Sequence, residues 1–160
     1  MKAVLISIRP EWCAKIASGE KNIEVRKSRP KLETPFKCYI YCTLPRYPHE
    51  DFIEADYPKP QFYGGGKVIG EFLCDQIIED YTFGHDERFY GAACMSACDA
   101  AAYAMQSPMY GWNISNLKIY DVPRELASLT GLRATRFGAA PYDIKRAPQS
   151  WCYVEERDDD

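Results

Sequence analysis

The spacing of apolar and polar residues changes period several times along the first third of the chain, and each change marks an element. Val4–Ile8 reads as a strand, with Ile6 and Ile8 on one face and Ser7 and Arg9 on the other. From Pro10 to Ser18 the period becomes helical. Trp12/Ile16 and Cys13/Ala17 are i,i+4 pairs, Pro10 suits a first helical turn, and Gly19 is a natural stop. From Asn22 to Lys27 the period falls to two, with Ile23 and Val25 facing one way and Asn22, Glu24 and Arg26 the other. Cys38–Thr43 is a further strand, with Cys38, Ile40 and Cys42 on one face.

Four prolines then break the pattern. Pro45, Pro48, Pro58 and Pro60 exclude most regular structure from a long connection at 44–66, and its aromatics (Tyr47, Phe52, Tyr57, Phe62, Tyr63) argue for ordered packing. Gly64-Gly65-Gly66 ends it. A strand at Lys67–Asp75 follows instead of a helix, which excludes a phosphate-binding nucleotide loop. The spacing of Cys94, Cys98, Ala101, Ala102 and Met105 predicts a helix around Ala92–Gln106, stopped by Pro108. Tyr110–Tyr120 reads as extended or mixed, and Pro123–Leu129 as a short helix. A loop follows from Gly131 to Pro148, then a closing strand at Ser150–Glu155. Five or six short strands with interspersed helices imply an α+β barrel. The 160 residues suit one domain, with 154–160 as a frayed acidic tail.

Composition narrows the class of protein. No stretch is long and apolar enough to span a bilayer. Seven cysteines, with no cleavable apolar segment ahead of the first strand, predict reduced thiols and a cytoplasmic location. The net charge of −3 conceals an asymmetry: residues 1–37 hold nine Lys/Arg against four Asp/Glu, and the rest eleven against nineteen. A basic mouth on an acidic body suits an anionic ligand and discourages indiscriminate coating of nucleic acid.

Lys21, Glu24 and Arg26 stand within six residues at the join of helix and strand. A desolvated Lys21 would act as a base or nucleophile; kept charged beside Glu24, it would clamp a phosphate or oxyanion. Burial decides between these. Arg26 offers a planar fork for phosphate or a base edge, and Glu24 an acceptor for an exocyclic amine. The structural alternative is a salt bridge from Glu24 to Arg26 or Lys21 that pins the strand. Trp112 is the leading stacking candidate, with burial in the core as its alternative. Ser7 and Arg9 are second members of the site. Cys94 and Cys98 on one helix would make half a zinc site, but His49 and His85 are isolated and Cys38 and Cys42 point inward. Neither metal nor cofactor is expected.

The pattern Gly19-x-Lys21-x-x-Glu24-x-Arg26 after a short helix resembles the ASCH domains, a branch of the PUA-like superfamily. Leu5–Pro10, Val68–Phe72, Tyr110–Ser115 and Pro148–Val154 resemble other segments of its small phage and bacterial members. The resemblance implies a small mixed β-barrel of PUA-like type that binds single-stranded RNA or a modified nucleotide or nucleoside. In that role Lys21 and Arg26 hold phosphate, Glu24 reads a base and Trp112 stacks. It also implies an enzymatic alternative, a single-stranded ribonuclease or an acylated-cytidine amidohydrolase, with Lys21 and Glu24 as catalytic groups. In the amidohydrolases the lysine is paired with a threonine, whose slot here holds Glu24, and Glu71 is an acidic residue without a matched role. A third reading makes the connection at 44–66 a protein-interaction surface.

Overall fold

The computed structural model describes residues 1–44, 65–82 and 84–158. The expected partner surface at 44–66 falls almost wholly outside them. Among the described residues the elements are β1 (Lys2–Ile8), α1 (Pro10–Ser18), β2 (Ile23–Arg26), β3 (Phe36–Cys42), β4 (Lys67–Asp80), α2 (Ala97–Ala104), β5 (Met109–Arg124), β6 (Thr130–Thr135), β7 (Gly138–Asp143) and β8 (Trp151–Glu155). The strands form one mixed sheet in the order β2-β5-β4-β3-β1-β8-β6-β7. β1 runs parallel to β3, from Val4 opposite Cys38 to Ile8 opposite Cys42, and antiparallel to β8. The α+β class stands, but the sheet is open: among the described residues no pairing joins β2 to β7, so the expected barrel is not closed. β2 offers only four residues and β7 carries Pro141, so neither edge presents a full row of ladder partners. No helix among the described residues is long and apolar enough to cross a membrane.

Backbone contacts group the chain into two compact units. One holds Met1–Ala14, Lys37–Phe72 and Lys118–Asp160, the other Lys15–Phe36 and Leu73–Leu117. The first buries Ala3, Leu5, Tyr39, Val68, Leu129 and Val154 together. β1 is buried on both faces from Ala3 to Ile8, as an interior strand requires, so Ser7 is not on a solvated face. The second unit packs Ile23 and Val25 of β2 against Phe89, Ala93, Ala100, Ala104 and Met109. Each of the larger of these side chains, such as Leu5, Ile23, Val25, Phe89 and Met109, contributes roughly 1.5–3 kcal/mol.

Several expectations are corrected. The loop after Gly131 is a hairpin of β6 and β7. Its glycines and proline read as loop signals, yet Gly131 lies under the ring of Tyr142, where a Cβ would meet ring carbons at 2.3 Å. Pro141 sits on the edge strand, where a missing N–H is tolerated. The short helix at Pro123–Leu129 is only a 3-10 turn at Leu126–Ser128, because β5 continues to Arg124. α2 starts at Ala97, later than periodicity implied, because Ser96 and Asp99 form a capping box. Cys94 therefore lies outside the helix, at φ 56°, and shares no helical face with Cys98. Residues 154–157 are not frayed: Val154 pairs with Ala3, Glu156 N donates to Met1 O at 2.8 Å and Arg157 N to the Tyr39 hydroxyl at 2.9 Å.

Candidate functional site

Gly19, at φ +84°, takes the left-handed conformation that ends α1. The chain then turns so that Lys21 N donates to Lys15 O at 3.0 Å, while Asn22 N and Ile23 N both donate to Ala92 O, at 2.7 and 3.1 Å. β2 next pairs antiparallel with β5, Glu24 opposite Trp112 and Arg26 opposite Tyr110. Alternation turns Ile23 and Val25 into the core and leaves Glu24 and Arg26 on the other face.

On that face the charged groups converge. Arg26 Nη2 lies 2.8 Å from Glu24 Oε1, and Lys21 Nζ lies 3.5 Å from Glu24 Oε2. Lys21 Nζ also donates to Ala93 O at 2.7 Å. Lys21 is 5% and Glu24 6% exposed, so these are buried charges. Desolvation lowers the Lys21 pKa from its usual value, and attraction to Glu24 opposes the shift. Two cations surround one carboxylate, which leaves a positive excess where water is scarce. Glu24 Oε2 is held by the 3.5 Å ion pair with Lys21, so each carboxylate oxygen faces one cation.

No family model and no curated protein matches the sequence. Solved structures do. The ASCH protein of Zymomonas mobilis superposes with a TM-score of 0.56 at 18% identity, over 96% of this chain and 88% of that one. A single-residue variant of it superposes at 0.59 and 17% identity, over 98% and 92%. The chain has the ASCH fold. A likeness of this kind extends over nearly the whole chain and concerns its architecture.

Within the ASCH fold the other expected site residues fall as follows. Trp112 is a correction: it is 0% exposed, with Phe36 edge-on at 5.9 Å, so its rings serve the core and present no stacking face. Lying opposite Glu24 in the sheet, it shares the face of the sheet on which Glu24 stands. Ser7, Arg9 and Glu71 belong to the first unit, Lys21, Glu24 and Arg26 to the second. Ser7 is buried, its hydroxyl donating to Pro148 O at 2.6 Å, and Arg9 is exposed. Glu71 is engaged in its own network: the Tyr120 hydroxyl donates to Oε2, and Lys37 Nζ is 3.7 Å from Oε1. Among the described residues no three His, Cys, Asp or Glu side chains are grouped to hold a metal.

Sequence reasoning missed Tyr103. Its hydroxyl donates to Val25 O at 3.3 Å, and Lys27 Nζ lies 5.2 Å from its ring centroid. Burial raises its pKa, with Arg26 opposing and Glu24 adding to the shift. Tyr103 is 78 residues from Val25 in the chain, so no local pattern marks it.

Proposed function

We propose that the Lys21–Glu24–Arg26 cluster binds single-stranded RNA or a modified nucleotide. The observation that carries this reading is a buried carboxylate held between two cations, with Arg26 at 2.8 Å from one oxygen and Lys21 at 3.5 Å from the other. The positive excess suits a phosphate or a polarised base carbonyl. A carboxylate oxygen has more than one acceptor site, so Glu24 suits a further donor, as on an exocyclic amine or ring N–H of a base. Tyr103 borders the cluster with a face of partial exposure.

Titration of a fluorescently labelled single-stranded RNA at several salt concentrations tests the reading. Replacing Lys21 and Arg26 together by alanine is expected to weaken binding and to flatten the log–log salt dependence by about 1.4 units, at roughly 0.7 per lost contact. An Arg26→Lys variant, which keeps the charge and loses the fork, separates misfolding from lost recognition. RNA affinity unchanged in the double variant would overturn the proposal.

One observation favours a hydrolytic second reading at the same place. Desolvation pushes the Lys21 ammonium toward its neutral form, the form that accepts a proton. Glu24 in place of a threonine leaves no hydroxyl for amide cleavage, so RNA is the better substrate class. Incubation with end-labelled RNA and with acylated cytidine, with and without chelator, decides it: absence of turnover in every arm removes the enzyme.

A further inference from the structure

We propose that the tip of the β6–β7 hairpin is a second contact for single-stranded nucleic acid, with Phe137 as a stacking platform and Arg133 and Arg136 as phosphate contacts. The class of partner rests on the reading above. The residues do not, because they lie in the first unit, whereas the Lys21 cluster lies in the second.

Phe137 is 86% exposed. A single exposed aromatic residue ordinarily needs no explanation. This one sits on a pre-shaped support. β6 and β7 pair in register from Thr130 opposite Asp143 to Thr135 opposite Gly138, leaving Arg136 and Phe137 as the turn. The Thr135 hydroxyl donates to Gly138 O at 2.7 Å and accepts from Phe137 N at 3.2 Å, and Gly138 supplies the φ of +109° that the turn needs. The Arg136 guanidinium lies 4.8 Å from the Phe137 ring centroid, so one face carries a cation and the other is open to a flat partner. A base stacking there loses little conformational entropy from the protein side.

Charge selects the partner. Residues 38–160 carry eleven Lys/Arg against nineteen Asp/Glu, but the hairpin at 130–143 carries Arg133 and Arg136 against Asp143, whose carboxylate lies 3.9 Å from Lys145 just beyond the hairpin. The turn end of the hairpin is thus cationic within an acidic stretch of chain. Pro141 on the edge strand removes a ladder donor and disfavours a protein strand adding to β7. Gly138, Ala139 and Ala140 are small and leave the backbone beside the tip approachable by phosphate. An interleaved aromatic and cationic surface of this kind matches a single strand, whose bases are free to stack and whose phosphates are evenly spaced.

The test uses the full chain, a short labelled single-stranded RNA, and an abasic phosphodiester strand of equal length. Phe137→Ala is expected to weaken RNA binding about tenfold and leave the abasic strand unaffected, with Phe137→Trp restoring affinity. Replacing Arg133 and Arg136 by alanine weakens both probes and flattens the salt dependence. Wild-type RNA affinity in Phe137→Ala overturns the proposal, as does equal wild-type affinity for the two probes. Polyglutamate binding as tightly as RNA, and lost with the two arginines, makes the hairpin a protein-docking surface and also overturns it. Loss confined to the Lys21/Arg26 variant sinks only the hairpin, and loss confined to the hairpin variants sinks only the cluster. Absence of RNA binding by wild type sinks both.

Discussion

The Lys21 ammonium donates a 2.7 Å hydrogen bond to the carbonyl of Ala93, 72 residues away in the chain. That bond ties the turn after α1 to the segment ahead of α2 and sets the ammonium 3.5 Å from Glu24. A residue in a turn, whose direction local pattern leaves open, is thereby aimed.

Binding and stability should separate at this position. Lys21→Met removes a buried charge that folding penalises and also leaves Ala93 O without its donor. The two effects offset, so stability at neutral pH is expected to change by no more than about 1 kcal/mol while RNA affinity falls. The pH profile changes too. The folded pKa lies below the usual 10.5, so above it the unfolded chain holds more protons and wild-type stability rises with pH up to 10.5. The variant loses that rise. Urea unfolding from neutral to alkaline pH measures both.

Glu24→Gln leaves Lys21 and Arg26 facing each other without their shared carboxylate. Breaking a buried ion pair in this way costs about 3 kcal/mol or more, read as a lower urea midpoint at unchanged slope. If Glu24 reads a base, RNA affinity falls; if it merely screens the cations, inorganic phosphate and RNA both bind more tightly. Isothermal titration with each distinguishes these outcomes.

Tyr120 should control the opposite slope. Burial and its hydrogen bond to Glu71 raise its pKa far above the ordinary 10.0. The folded state then keeps a proton that the unfolded chain releases, so this contribution is complete below pH 10 and declines as pH rises beyond it, by up to about 1.4 kcal/mol per pH unit. Tyr120→Phe is expected to cost about 1–2 kcal/mol at pH 7 and to flatten the decline above pH 10. Parallel profiles for the two proteins would show that Tyr120 does not carry it.

Gly111→Ala tests the support beneath the charges. The added Cβ would meet Phe89 at 2.6 Å and Ile23 at 2.9 Å, on the strand opposite Val25. Overpacking there is expected to cost about 1–3 kcal/mol and to weaken RNA binding without altering any charged group. Thermal melting and RNA titration report the two effects.

Local order set the elements that short-range physics governs. Pro10, the i,i+4 apolar pairs and Gly19 specify α1, because a helix closes its bonds within four residues. The period of two through Ile23, Val25 and their charged neighbours specifies β2 and which side is polar. The Ser96–Asp99 capping box is equally local, and it places the start of α2 later than apolar spacing alone does. The hairpin at 130–143 was not legible, since Gly131 belongs in a strand only once Tyr142 covers it from the facing chain.

The sequence by itself determined that a lysine, a glutamate and an arginine would meet the chain at one helix-to-strand join, and that the strand would present two of them together. Tertiary structure alone decided their burial, the placing of one cation at each oxygen of Glu24, the arrival of Tyr103 and Ala93, the withdrawal of Trp112 into the core, and the membership of Glu71 in a separate network. Periodicity reports direction relative to a neighbour a few residues away. Desolvation and hydrogen-bond satisfaction depend on what packs against the residue from distant parts of the chain, and no local pattern encodes that.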